Sequence, residues 1–168
     1  MTAPVQLGRL VAPEGCCLIG PASLDPATRV AIVAAEYHVD IVQRLVNGAV
    51  AECAERGVLH VDLVPVPGAF ELAPAARVCA QQGYHAVIAL GCVIRGGTPH
   101  FEYVCAEAAR GIADVATATG IPVAFGVLTC DNHPQAMVRA GGAKGNKGRE
   151  AAAAALGLLA SLRSLAIA

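Results

Sequence analysis

Four short apolar runs, at residues 29–35, 58–66, 86–93 and 123–128, recur along the chain, each followed by a stretch with helical spacing. A run such as Val30-Ala31-Ile32-Val33-Ala34-Ala35 has no polar alternation, as expected of a strand covered on both faces of a parallel sheet. After the first run, Asp40 is positioned to cap a helix whose apolar residues Ile41, Leu45, Ala49 and Cys53 recur every four positions, with Gly57 as its stop. The spacing further predicts helices over 70–82, ended by Gly83, and over 99–119. In the second of these Thr98 is the N-cap, Pro99 the first helical residue and Gly120 the stop. A short helix over 133–140 closed by Gly141-Gly142, and an Ala- and Leu-rich helix over 150–165, complete the pattern. Parallel strands need such crossovers, so the fold class is α/β: a three-layer α/β/α sandwich with ligands bound beyond the carboxyl ends of the strands.

At 168 residues the chain fits one domain, assigned to 29–168, with 55% hydrophobic residues to fill its core. Residues 1–28 are rich in Pro and Gly without a period and are expected to form an arm ordered against a neighbouring subunit. Twelve Lys and Arg oppose thirteen Asp and Glu with no basic run, which argues against nucleic acid as a partner. Neither a signal-like start nor a membrane-length apolar stretch is visible, so a cytoplasmic location away from the membrane is expected. The seven cysteines include no CxxC pair and stand beside no His cluster; reduced, mostly buried thiols and no metal are expected. Because the chain has only three Phe, three Tyr and no Trp, each aromatic needs a reason for its place.

The loops after the strands carry the unusual chemistry. Gly96-Gly97-Thr98 before a helix offers backbone N–H groups and a hydroxyl at the positive end of a helix dipole, which suits a phosphate, although an ordinary capped turn would read the same way. His100 follows in the first turn, where an imidazole can give or take a proton beside that loop, or be merely solvated. Of the remaining histidines, only His38 shares this edge; His60 and His85 sit at strand starts and His133 begins the short helix. Tyr37 and Phe70 lie in edge loops, where a ring can stack on a planar ligand or fill core. Glu71 can accept hydrogen bonds from a polyol or favour a helix start. The turn from Arg139 to Lys147 gathers three cations among glycines, suited to an anion or to solvent.

Taken together, VPGAFELAPAA from Val66, ALGCVIRGGTPHFEYV from Ala89, GVLTCDNHPQAMVRAGG from Gly126 and GNKGREAA from Gly145 resemble lumazine synthases of riboflavin biosynthesis. The resemblance covers residues 29 to about 165 and implies a flavodoxin-like, four-stranded parallel sheet. It also implies pentamers whose active sites lie between subunits, and possible 60-mers, since the compact 139–147 turn lacks an insertion found in some purely pentameric members. By motif position, Tyr37 would stack on the pyrimidine with His38 beside it; Ala69, Phe70 and Glu71 would hold the ring and ribityl chain. Cys92, Val93 and Ile94 would line the pocket, and Phe125 would reach it from the adjacent subunit. Gly97, Thr98 and Arg139 match the phosphate site, with Lys147 assisting, and His100 matches the general acid/base. The substrates implied are ribitylaminouracil and dihydroxybutanone phosphate, with no cofactor. The chain departs from the family in Tyr37-His38, where many members have Phe-Asn, and in Cys130-Asp131-Asn132, where a Thr-rich stretch is commoner. A non-catalytic flavin or lumazine binder and a shell-forming assembly protein are the competing classes; His100, Arg139 and the intact GGTPH and NKG segments favour the enzyme.

Overall fold

The computed structural model describes residues 10–167, so residues 1–9 of the expected arm and Ala168 at the end of the expected domain lie outside the described residues. In chain order it contains β1 (Arg29–Ala35), α1 (Val39–Glu55), β2 (His60–Val66), a 3₁₀ turn (Ala69–Glu71) leading into α2 (Leu72–Gln81), β3 (Ala86–Ile94) and α3 (His100–Thr119). There follow β4 (Val123–Cys130), α4 (His133–Met137), β5 (Ala140–Gly142), β6 (Gly145–Asn146) and α5 (Lys147–Ile167). The main sheet is wholly parallel, in the order β2-β1-β3-β4.

Both faces of this sheet are covered, which is why its central strands read as unbroken apolar runs. On β1, Val30 and Ile32 point toward α1 and α5, with Ile88 and Leu90 of β3 beside them. Ala31 and Val33 point to the opposite side, with Val87 and Ala89, against Leu72 and Ala76 of α2 and Ala108 and Ile112 of α3. Each fully buried Ile or Leu contributes about 1.5–3 kcal/mol, so these two apolar layers fix the positions of the strand ends.

The small residues let the elements come close. A Cβ on Gly148, in the first turn of α5, would fall 2.6 Å from the carbonyl carbon of Leu45 in α1. Nearby, Asn146 caps α5, its Oδ1 accepting from the N–H of Gly148 at 2.9 Å and of Arg149 at 3.1 Å. Its Nδ2 donates to the carbonyl of Arg44 at 2.9 Å, and a Cβ on Gly48 would lie 2.5 Å from its Cγ. The buried carboxylate of Glu52 completes the seam, paired with Arg56 at 3.0 Å and Arg149 at 3.1 Å. Ahead of β1, the chain runs along α5: Ala22 N–H donates to the carbonyl of Ala160 at 3.1 Å, and Ser164 Oγ to that of Gly20 at 2.7 Å.

Several expected boundaries shift. Asp40 is not the cap of α1; His38 is, in a left-handed conformation (φ 56°, ψ 49°) that turns the chain into the helix, while the Asp40 carboxylate meets His133 Nε2 at 2.7 Å. Thr98 does not cap α3 either, because Pro99 takes the N-cap position and the helix begins at His100. Strand β2 starts at His60, since the N–H of Val58 is used in the turn after α1, bonding the Cys53 carbonyl at 3.0 Å. The predicted 70–82 helix opens with the 3₁₀ turn, and β3 and β4 run one and two residues farther than expected. Gly141-Gly142 does not stop a helix reaching residue 140: α4 ends at Met137, and the glycines belong to the β5–β6 hairpin, where Gly141 has φ 103°. The last helix starts at Lys147, three residues before the expected Glu150, because Asn146 caps it there.

Candidate active site

Two of the four loops at the carboxyl edge, with the end of β3 and the start of α3, line a cleft of about 670 Å³. The β1–α1 connection supplies Tyr37 and His38, and the β2–α2 connection supplies Gly68, Ala69, Phe70 and Glu71. The end of β3 contributes Cys92, Val93 and Ile94 as a floor, and α3 contributes His100 and, one turn on, Val104. Tyr37 and Phe70 are 70% and 58% exposed, so these rings stand in the cleft rather than filling core. Gly68 makes their arrangement possible: a Cβ there would lie 3.0 Å from Glu71 Oε2 and 3.2 Å from the Tyr37 ring. The cleft therefore offers two aromatic faces, a carboxylate and an imidazole over an apolar floor, a set suited to a planar heterocycle bearing a polyol.

The anion-binding candidates do not line this cleft. Gly97 and Thr98 occupy the β3–α3 turn, and added Cβ atoms at Gly96 or Gly97 would meet nothing within 4 Å, so the backbone there stands clear for an approaching ligand. Arg139 lies between α4 and β5, its Nη1 donating to the Gln135 carbonyl at 2.8 Å. Lys147 begins α5 with its Nζ 2.6 Å from Glu150 Oε2. Phe125 sits on the edge strand β4 opposite Ala89, 44% exposed and outside the cleft. The β3–α3 turn is tied to the end of β4: Arg95 N–H donates to the Cys130 carbonyl at 2.9 Å, and its Nε to Asp131 Oδ1 at 3.1 Å.

Gly68 and Val104 line the cleft without having been assigned to it from sequence; the i, i+4 spacing from His100 was the available signal for Val104. Asn146 was likewise passed over, although an Asn directly before a helix is a recognised cap signal.

Cys92 adds packing, not nucleophilicity. Burial pushes its thiol up to about 12, with nearby Cys130 and Asp40 adding to the effect, so the neutral form prevails and thiolate appears only in strong alkali. Cys92 should therefore remain unlabelled by iodoacetamide in the native protein at pH 8 while exposed Cys16 reacts, with labelling appearing on denaturation. Mass-spectrometric mapping checks this, and rapid native alkylation of Cys92 would refute it. Among the described residues, no group of three or more His, Cys, Asp or Glu is placed to hold a metal ion, and no helix is long and apolar enough to cross a membrane.

Comparison with known proteins accounts for the same elements. The family model for 6,7-dimethyl-8-ribityllumazine synthase matches residues 27–163. The chain is 49% identical over 139 residues to the 6,7-dimethyl-8-ribityllumazine synthase of Streptomyces coelicolor, covering 82% of this chain and 86% of that one. It is 51% identical over 140 residues to the enzyme of that name from Kineococcus radiotolerans (82% and 87% covered), and 49% identical over 148 residues to that from a Nocardioides species (86% and 92%). With a match that spans the whole sheet and every loop of the cleft, the chain belongs to the 6,7-dimethyl-8-ribityllumazine synthase family.

Proposed function

We propose that this protein is a transferase that condenses 5-amino-6-(D-ribitylamino)uracil with 3,4-dihydroxy-2-butanone 4-phosphate to give 6,7-dimethyl-8-ribityllumazine, the penultimate step of riboflavin biosynthesis. The observation that carries this reading is the meeting of Tyr37, Phe70, Glu71 and His100 in one cleft, with Thr98 two residues before His100. In this assignment Tyr37 stacks on the pyrimidine with His38 beside it. Ala69, Phe70 and Glu71 hold the ring edge and ribityl chain, and Cys92, Val93 and Ile94 form the apolar floor. The phosphate is taken by Gly97, Thr98 and Arg139, with Lys147 assisting. The amine at the uracil's C5 attacks the ketone and loses water to form an imine, phosphate leaves by elimination, and the ribitylamino nitrogen closes the second ring with loss of water. His100 moves protons in these steps, and no cofactor is needed.

Phe125 is assigned to the cleft of a neighbouring subunit, which fits its half-exposed place on the edge strand. Assembly into pentamers, with 60-mers built from them, the inter-subunit role of the 1–28 arm, a single domain over 29–168 and a cytoplasmic location belong to the same proposal.

The direct test is formation of the fluorescent lumazine from the two substrates by purified protein. Robust product is expected. Arg139→Ala should raise the KM for dihydroxybutanone phosphate by about 10- to 100-fold, the range for losing a charged hydrogen-bonding partner, and leave that for the uracil nearly unchanged. Well-folded wild-type protein that binds lumazine but forms none would instead identify a binding module.

A further inference from the structure

The segment that presents His100 has little of its own to hold it. Gly96 and Gly97 precede it in a turn where an added Cβ would meet nothing within 4 Å, and Pro99, at the N-cap of α3, gives the helix no side-chain hydrogen bond. The buried residues of α3, Ala108, Ile112 and Val115, all lie beyond its second turn, so the body of the helix is packed down and its head is not.

Arg95 grips that head. Its main chain is fixed to the sheet, the N–H donating to the Cys130 carbonyl of β4 at 2.9 Å. Its side chain spans the turn: the guanidinium carbon lies 4.3 Å from the centre of the Phe101 ring, and Nη1 pairs with Glu102 Oε1. On its other side Nε donates to Asp131 Oδ1 at 3.1 Å, directly after β4. Phe101 and Glu102 are the two residues after His100, so one guanidinium pins the turn that carries the imidazole to the ends of β3 and β4.

Resting on the function assigned above, we propose that Arg95 is a positioning residue for His100, holding the first turn of α3 so that the imidazole is aimed into the cleft. His100 lines the cleft and Arg95 does not, so Arg95 acts through the helix and not on the reactants. Proton transfer needs the imidazole within hydrogen-bond reach of the reacting atoms, and a small displacement of its carrier lowers the rate. Arginine suits the task, because its planar fork reaches two carboxylates on different elements while stacking on a ring. Exposed ion pairs contribute little to stability, so the loss of this one is read in turnover and not in melting.

Arg95→Ala should lower kcat for lumazine formation by roughly tenfold, with the KM for ribitylaminouracil and the melting temperature unchanged. In a His100→Ala background the same substitution should change kcat by less than about twofold, since no imidazole is left to misplace. Arg95→Lys, able to reach one carboxylate at a time, should recover part of the loss. Glu102→Gln and Asp131→Asn should each lower kcat in the same direction, and they carry the test if Arg95→Ala fails to fold. Arg110→Ala is the control: Arg110 is clamped by Glu107 and Asp114 at 2.6 Å each, farther along α3, and its loss should leave kcat unchanged. Equal losses from Arg95→Ala with and without His100, or a fall in kcat that merely follows the melting temperature, would overturn the proposal. No lumazine from the wild type would remove the assigned function and this role with it, whereas full turnover by wild type and Arg95→Ala alike removes this role alone.

Discussion

Replacing His100 with alanine is expected to lower kcat for lumazine formation by about 10²–10⁴-fold without abolishing it. His100 is the first residue of α3 and lines the cleft with Phe70, Glu71 and Val104, and the Thr98 turn lies two residues before it. From there an imidazole can serve both the ketone carbon, where the imine forms, and the phosphate oxygen that departs. Proton transfer accounts for only part of the acceleration; holding two reactants in one oriented cleft supplies the rest and survives the substitution. Single-turnover fluorescence, with substrate binding measured separately, separates these contributions. Unchanged turnover would remove His100 from the chemistry. Complete loss with normal binding would mean that orientation contributes far less than argued.

The second large effect concerns the seam between α1 and α5. Gly148→Ala is expected to destabilise the fold by about 3 kcal/mol or more, at the upper end for overpacked sites. The added methyl would collide with the backbone of the fully buried Leu45, and backbone at a helix–helix crossing yields less readily than a side chain. Gly157 lies on the same helix with nothing within 4 Å of an added Cβ, and there alanine should stabilise by about 0.5–1 kcal/mol through helix propensity. Urea denaturation of both variants checks the pair. Equal effects at the two positions would show that helix propensity, not the crossing, governs this seam.

The sheet was legible because β1 and β3 are shielded on both faces, so their sequences carry runs bounded by polar residues, and the left-handed Gly120 marked the end of α3. Helix starts were less legible. A left-handed His38 with no side-chain bond to the helix leaves no cap signature, so the nearest acidic residue, Asp40, was taken instead. Likewise Thr98-Pro99 carries a cap-like pattern that the chain does not use. The β5–β6 hairpin, three residues against two with three glycines among them, has too little length to alternate. Within the cleft, Tyr37, His38, Ala69, Phe70 and Glu71 from the connections after β1 and β2 meet Cys92, Val93 and Ile94 from the end of β3 and His100 from the start of α3. Gly97, Thr98, Arg139, Lys147 and Phe125 stand outside its lining, and a linear pattern carries no measure of the distance between loops.

Asn146 joins two matters usually kept apart. It caps α5 and holds the carbonyl of Arg44 in α1, and it also ends the hairpin whose other strand begins one residue after Arg139. Loosening that single side chain would disturb a folding contact and the residue proposed as an anion ligand at once. A genetic screen for riboflavin auxotrophy would accordingly recover lesions at Gly48, Asn146 and Gly148 as readily as at His100, and only the amount of folded protein in each mutant would distinguish a broken hinge from a missing proton.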